Sequence, residues 1–145
     1  MRNSSRNESE ANPIEYAEQA GIAIYYGRLP LCESMSLCHG EKCYIAIDPF
    51  SIQSMADGMV KAAHEIGHCE TRSFYSRNSL CDVRGRHEYK ADKWAAHYLM
   101  PPDKLRQATA EGYIEPWELA ERLNVTEDFL RRAMYIYRCE GLLPE

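Results

Sequence analysis

The 145-residue sequence lacks a long hydrophobic run, a paired C-x-x-C motif and an excess of positive charge. A membrane-spanning helix needs about 20 consecutive apolar residues, and no apolar run approaches that length. Zinc fingers and ribbons typically carry cysteines paired as C-x-x-C, and none of the cysteine spacings here is of that kind. The formal net charge of −5 provides no general basic field that would attract nucleic acid. We therefore expect a globular protein whose partner is neither a membrane nor, directly, a nucleic acid.

The ends and the composition of the chain predict one soluble domain. Residues 1–12 are polar and charged, unlike a secretory signal peptide, so we expect a cytoplasmic protein with a mobile tail at 1–11. The apolar fraction of 45% is enough to bury the core of one ordinary domain. We place that domain at 12–145, with a catalytic core at 12–101 that carries the motif described below and a helical part at 102–145.

The six cysteines are expected to be free thiols, because none of their spacings is the paired C-x-x-C of a structural zinc site and the cytosol is reducing. Cys38 and Cys43 lie close to His39 in the sequence. A second metal site at these three residues is a minor alternative.

The run from His64 to His68, with the sequence HEIGH, is an H-E-x-x-H motif that chance rarely produces in a chain with five histidines. At 3.6 residues per turn, His64 and His68 lie on one face of a helix, roughly 6 Å apart. They can bind one zinc ion together while Glu65 reaches a water molecule on that ion. Apolar residues at helical spacing from Met55 to Ile66 predict an amphipathic helix around the motif. The alternative is that both histidines are ordinary polar residues at a helix boundary.

A catalytic zinc site needs a third protein ligand and leaves its fourth position to water. The metzincin pattern would require histidine at position 74, which is Phe74, so that class is excluded. Apolar spacing predicts a second helix that ends before Pro101. On this helix Glu88 could complete the ligand set, with His87 as a fallback, while Asp92 could accept the free ring N–H of a liganding histidine.

Upstream of the motif the sequence predicts a short helix and a small sheet. Asn12-Pro13 is a typical helix start and Gly21 a typical helix end. The β-prone runs 22–26 and 43–47, and a weaker run at 34–37, predict a small antiparallel sheet with a turn at 39–42. The strand at 43–47 is a candidate edge for an extended substrate. Residues 69–85 are expected to form an irregular loop near the metal.

Residues 117–138 predict a helix, a turn and a second helix that begins after the capping residue Thr126. This arrangement resembles the opening of a DNA-reading module. However, six acidic residues face only four arginines between Glu115 and Glu140, which is a poor footprint for phosphate groups. A structural or substrate-docking role is therefore favoured.

The motif HEIGH, followed about twenty residues later by HEYKADKWAAHYLMP, resembles the ImmA/IrrE family of metallopeptidases. The pattern of that family is HE(L/I)GH and then E-x-x-A-(D/N)-x-F-A-A-x-L-L-M-P. Here Trp94 stands in place of the usual Phe, and His97-Tyr98 occupies the stretch before Leu99-Met100-Pro101. The specific motifs cover residues 64–68 and 88–101, and the order of elements matches from about 14 to 137.

The resemblance implies that His64, His68 and Glu88 bind one Zn²⁺ and that Glu65 is the catalytic base. With the predicted elements, it implies an α+β fold with a zincin-like core on the HExxH helix, a small antiparallel sheet and a helical C-terminal part. Members of the family are typically intracellular proteases of bacteria, phages and mobile elements. They cleave a helix-turn-helix repressor, so the expected function is a zinc endopeptidase that derepresses genes of a phage, a mobile element or a stress response.

Two other functions remain open from the sequence: a zinc-containing docking or anti-repressor protein that binds without cleaving, and a DNA-binding regulator that uses residues 117–138. His97 lies about 180° round its helix from Glu88 and is expected at the surface. The oxyanion of a peptidase reaction could be stabilised by any of several residues near the motif. The candidates are Tyr75, Arg84, Arg86 and Tyr89.

Overall fold

The structure is a computed structural model and describes residues 10–75 and 79–144. This part of the chain has an α+β fold, as predicted, with six α-helices and one three-stranded sheet. The elements are α1 (Pro13–Ala20), β1 (Ala23–Tyr26), β2 (Ser34–His39), β3 (Lys42–Ile47), a 3₁₀ turn (Pro49–Ser51), α2 (Met55–Thr71), α3 (Cys81–Leu99), α4 (Pro102–Ala110), α5 (Pro116–Arg122) and α6 (Glu127–Cys139). Among the described helices, none has the length and apolar character needed to cross a membrane.

The sheet is mixed, so the prediction of an antiparallel sheet was wrong. Its strand order is β1-β3-β2, with β1 parallel and β2 antiparallel to β3. Residues 27–33 carry the chain from β1 to the far edge, and the hairpin at Gly40, where φ is +64°, then returns β3 between the other two strands. The Asp48 carboxylate accepts a hydrogen bond from the Leu29 N–H and anchors this crossover. Strand propensity gives no information about such a connection, because it scores each run separately.

The central position of β3 also overturns the prediction that residues 43–47 form a sheet edge. Alternate residues of β3 are buried: Cys43, Ile45 and Ile47. β2 is an edge of the sheet instead. Its first residue, Ser34, lies beside the motif helix.

Helix α2, which carries the HEIGH motif, lies between two apolar clusters. Ser54 caps its start by accepting a hydrogen bond from the Asp57 N–H, and Arg72 ends it in the left-handed conformation at φ 51°. Val60 and Ala63 pack into a cluster formed with the C-terminal helices. Ile66 packs with the sheet and α1. The helix that carries the motif is therefore packed on two sides.

The loop predicted at 69–85 is shorter than expected at both ends. α2 continues to Thr71, and α3 already begins at Cys81. The N-cap residue of α3, Leu80, makes no side-chain cap hydrogen bond, and the first turns of the helix contain Gly85, a poor helix former. Local sequence therefore gave no signal for this start, and packing against α2 decides it. Residues 76–78 of the predicted loop lie outside the described residues.

The N-terminal prediction falls largely outside the described part, since residues 1–9 of the predicted tail are not described. Glu10 and Ala11 both contact the rest of the protein. The Asn124 side chain donates a hydrogen bond to the Glu10 carboxylate, and Ala11 packs against the helical cluster.

Gly67 is the point of closest approach between α2 and α3. A Cβ atom at this position would lie 2.5 Å from the Ala91 carbonyl oxygen and 3.0 Å from its Cα. Real Cβ atoms do not approach backbone this closely, so only glycine permits this crossing. Gly67 costs some helix propensity, but it brings α3 close enough for Glu88 to reach the two histidines.

Gly67→Ala is expected to destabilise the protein by about 1–3 kcal/mol or more, because the backbone of α3 must move to admit the methyl group. Gly85→Ala is the matched control: a Cβ there meets nothing within 4 Å. That variant is expected to gain about 0.5–1 kcal/mol from helix propensity. Chemical denaturation measures both, and equal stabilities for the two variants would contradict the close crossing.

The C-terminal helices pack on α2 and α3 through a shared apolar cluster. Phe129, Leu130 and Tyr137 of α6 are fully buried in it. The Tyr137 hydroxyl donates to the Met100 carbonyl oxygen at 2.8 Å. α5 and α6 form the predicted helix, turn and helix. The buried face of this unit packs into the same apolar cluster.

Candidate metal centre and active site

His64 and His68 on α2 and Glu88 on α3 bring three potential metal donors together. His64 Nε2 lies 3.2 Å from His68 Nε2 and 2.8 Å from Glu88 Oε2, and His68 Nε2 lies 3.3 Å from Glu88 Oε1. Among the described residues, this is the group of histidine, cysteine and carboxylate side chains that could hold a metal ion. The predicted ligand residues are therefore neighbours in space.

The second ring nitrogens of the two histidines show which way the donors point. His68 Nδ1 lies 2.7 Å from the Ser73 carbonyl oxygen. Because a carbonyl oxygen can only accept, His68 Nδ1 carries the proton. His64 Nδ1 lies 2.8 Å from Asp92 Oδ1, a carboxylate that likewise accepts. Asp92 thus lies where the sequence analysis placed a partner for a liganding histidine, and the Nε2 atoms of both histidines face Glu88.

The donor set fits a metal ion when both imidazoles are neutral. In that state the protons lie on Nδ1, so the two Nε2 atoms are acceptors that cannot hydrogen-bond to each other, and a cation between them and Glu88 satisfies all three. In a tetrahedral zinc site with bonds of about 2.0–2.1 Å, ligand atoms lie roughly 3.3 Å apart. The separations of 2.8–3.3 Å among these three side chains are close to that spacing.

The electrostatics of the site also favour a cation. Burial alone would lower the pKa of His64, but its hydrogen bonds with Asp92 and Glu88 outweigh burial and raise the pKa to about 10. Burial would raise the pKa of Glu88, yet hydrogen bonds from His64, His68 and Tyr75 hold it well below its usual range. Glu88 therefore stays ionised, and positive charge is favoured between these side chains.

Glu65 is the buried carboxylate of the motif. It is 5% exposed, and the Ser34 hydroxyl at the start of β2 donates to its Oε1 at 2.7 Å. This hydrogen bond fixes one carboxylate oxygen and leaves acceptor capacity on the other. A carboxylate next to two metal donors, but outside the set, is suited to accept a proton from a water molecule.

A cleft of about 640 Å³ opens beside the donors. Its walls come from four elements: the start of β2, one face of α2, Glu88 of α3 and the first turns of α6. The residues that line it include Ser34, Lys61, His64, Glu88, Asp128 and Arg132. The cleft lets a substrate reach the donors from the side on which α6 begins.

The weaker candidates from the sequence lie in different places. The Tyr75 hydroxyl donates to Glu88 Oε1 at 2.6 Å, and this bond together with burial raises the pKa of Tyr75 to about 12. Tyr75 is therefore close enough to the centre to act on an oxyanion. Arg86 instead pairs with Asp82 at 3.4 Å, and Arg84 and Tyr89 are exposed.

The two remaining histidines near Glu88 lie outside the donor set. His87 keeps a buried Nδ1 without a hydrogen-bond partner among the described residues. His97 is exposed, as predicted, and its Nε2 lies 2.9 Å from Glu140.

The minor alternative of a second metal site at Cys38, His39 and Cys43 finds no support, since these residues form no metal-capable group in the described part of the chain. All six cysteines are free thiols.

Sequence reasoning missed three contributors to the site. The Ser73 carbonyl is a backbone group, which no residue pattern reveals. Ser34 and Arg132 are far from the motif in sequence and reach it only through the fold. Arg132 Nη1 lies 3.3 Å from both oxygens of Asp92, so α6 contributes to the hydrogen bonds around His64.

Comparison with known families agrees with this geometry. The model of the peptidase family M78, described as the IrrE N-terminal-like domain, matches residues 53–135, which is more than half of the chain. The chain belongs to the IrrE N-terminal-like family. This confirms the resemblance seen in the motifs and shows a metallopeptidase family. The matched region begins just before the cap of α2 and ends within α6, so it contains all three donors and Arg132. No curated protein and no solved structure gave a significant match.

Proposed function

We propose that this member of the IrrE N-terminal-like family is a zinc-dependent endopeptidase. The observation that carries the proposal is the convergence of His64, His68 and Glu88 beside the buried carboxylate of Glu65. Two histidines and one glutamate are the ligands of known zinc peptidases, whose fourth position is left open. When bound, Zn²⁺ would polarise a carbonyl group and acidify a water molecule.

The residues of the chain account for the remaining chemistry. Asp92 and the Ser73 carbonyl hold the two imidazoles in one tautomer and one orientation. Glu65 accepts a proton from the attacking water and delivers it to the amine that leaves when the peptide bond breaks. The Ser34 hydroxyl orients Glu65 for this task. Tyr75, hydrogen-bonded to Glu88, is the best-placed of the oxyanion candidates.

The edge strand β2 supports binding of an extended substrate. Among the described residues, β2 pairs with a strand on one side only, namely β3, and its first residue contacts Glu65. A peptide that adds to the free edge gains main-chain hydrogen bonds and runs past the motif helix. This assigns to β2 the role that the sequence analysis gave to residues 43–47.

For the physiological substrate we propose a helix-turn-helix repressor, on the basis of the family resemblance. Cleavage would derepress genes of a phage, a mobile element or a stress response, and the reaction would take place in the cytoplasm. The open cleft of about 640 Å³ can admit an extended segment of such a protein. A repressor gene in the adjacent reading frame would identify the partner.

Incubating the zinc-loaded protein with the repressor encoded beside it is expected to give two discrete fragments. The cut should fall in an exposed or locally unfolded stretch, because a peptide must be extended to reach the metal. Mass spectrometry of the mixture measures this, with casein and the Glu65→Gln variant as controls. Casein degraded as readily as the repressor would contradict a dedicated protease, whereas a repressor that binds but stays intact would favour a docking protein.

A DNA-binding role for α5 and α6 has less support. The first turn of α6, which a DNA-reading module would use for base contacts, carries Glu127 and Asp128 and lines the cleft. Two carboxylates in that position would repel phosphate groups. We infer that this unit packs against the core and shapes the cleft, in agreement with the structural or docking role favoured from the sequence.

A further inference from the structure

Arg132 connects the helical C-terminal part to the candidate metal centre. Its Nη1 lies 3.3 Å from each oxygen of Asp92, and Asp92 in turn lies 2.8 Å from His64 Nδ1. The Asp92 side chain is 12% exposed, whereas that of Arg132 is 51% exposed. A buried carboxylate thus holds one end of a guanidinium group while the remainder of the group stays accessible.

The accessible part of Arg132 faces the cleft that contains the metal donors. Arg132, His64 and Glu88 all line this cleft. A guanidinium group has five N–H donors, and Asp92 engages only Nη1. Within residues 10–75 and 79–144, the guanidinium makes no other hydrogen bond. The Phe129 ring, with its centroid 5.9 Å from the guanidinium carbon, restricts the side chain further.

We propose that Arg132 binds a main-chain carbonyl oxygen of the substrate and so positions the peptide across the centre. This inference rests on the proposed peptidase function. Glu127 and Asp128 line the same cleft and would repel a substrate carboxylate, so a neutral acceptor is favoured. An arginine that Asp92 already holds loses little conformational freedom when it binds. The first turns of α6 therefore form one wall of the substrate-binding site.

Two metal-directed probes test this role without requiring proteolysis. Acetohydroxamic acid binds zinc but has no peptide beyond its metal-binding group. A hydroxamate of a capped Leu-Leu dipeptide has the same metal-binding group and adds peptide carbonyl oxygens that, under this proposal, lie along the cleft. Isothermal titration of zinc-loaded protein should show that Arg132→Ala binds the dipeptide hydroxamate about 10- to 100-fold more weakly than the parent. Binding of acetohydroxamic acid should be unchanged.

Two variants sharpen the comparison. Arg132→Lys keeps the charge but loses the planar guanidinium group with its several N–H donors. Its affinity for the dipeptide hydroxamate should therefore fall between those of the parent and Arg132→Ala. Arg131→Ala is the matched control, because Arg131 is the adjacent residue, pairs with Glu127 and does not line the cleft. This control should bind both probes as the parent does, and elemental analysis should find the same zinc content in all variants.

Each contrary outcome has a distinct meaning. Unchanged affinity of Arg132→Ala for the dipeptide hydroxamate would overturn the inference while leaving the peptidase proposal intact. Equal weakening of both probes would also overturn it, because Arg132 would then act through Asp92 and His64 on the metal. If neither probe binds the zinc-loaded parent, the protein has no open metal site, and the proposed function fails together with this inference.

Discussion

Alanine at His64, His68 or Glu88 is expected to remove the metal and abolish proteolysis. The purified parent should carry about one zinc ion per chain. Each substitution deletes one of three donors that lie 2.8–3.3 Å from one another, and two protein ligands cannot match the affinity of three. Elemental analysis after dialysis against a weak chelator measures the loss.

The control for this experiment is His97→Ala, which alters an exposed histidine on the same helix as Glu88 and should retain the metal. Asp92→Ala should weaken zinc binding by only about 10- to 100-fold, because Asp92 orients His64 without binding the ion. Full zinc content in Glu88→Ala would contradict the assignment of the third ligand. The search would then turn to His87, whose buried Nδ1 has no hydrogen-bond partner in the described part of the chain.

Glu65→Gln is expected to keep the fold and the zinc while proteolysis falls by at least about 10²- to 10⁴-fold, the range typical of lost general-base catalysis. The amide has the same size and can still accept the hydrogen bond from Ser34, but it cannot take a proton from water. Cleavage rate and zinc content, measured on the same preparation, separate the two effects.

The matched control for this variant is Glu70→Gln, which makes the same change at an exposed position of α2 and should leave the rate unchanged. A Glu65→Gln protein that relieves repression as well as the parent would contradict cleavage as the mechanism. The docking alternative, in which the protein binds a repressor without cutting it, would then be preferred.

The helices and the grouping of three potential metal donors were predictable from the sequence, because helical periodicity and the motif pattern are both visible in it. The i, i+4 spacing of His64 and His68 requires only the helical period, and the apolar residues on either side of α2 show that it is buried. Glu88 was named as a third ligand on the same grounds and by the family pattern. The structure adds the reason for the motif glycine: Gly67 permits the helix crossing on which the position of Glu88 depends.

The features that sequence reasoning missed depend on long-range connections. The order of the strands follows from the crossover at 27–33, which left no local signal, and so the edge of the sheet was assigned to β3 instead of β2. The N-cap residue of α3, Leu80, provides no side-chain cap for its start at Cys81. The partners of the histidines and of Asp92 include a backbone carbonyl and Arg132, 40 residues beyond Asp92. Such contacts exist only once the helices have packed.

X-ray absorption spectroscopy at the zinc edge of the purified protein tests the central claim most directly. With His64, His68 and Glu88 as ligands, the first shell should contain only nitrogen and oxygen, at about 2.0–2.2 Å. The chain has six free thiols, so a misplaced ion would have soft ligands available. A sulfur shell at about 2.3 Å would place the metal among the cysteines and contradict the account.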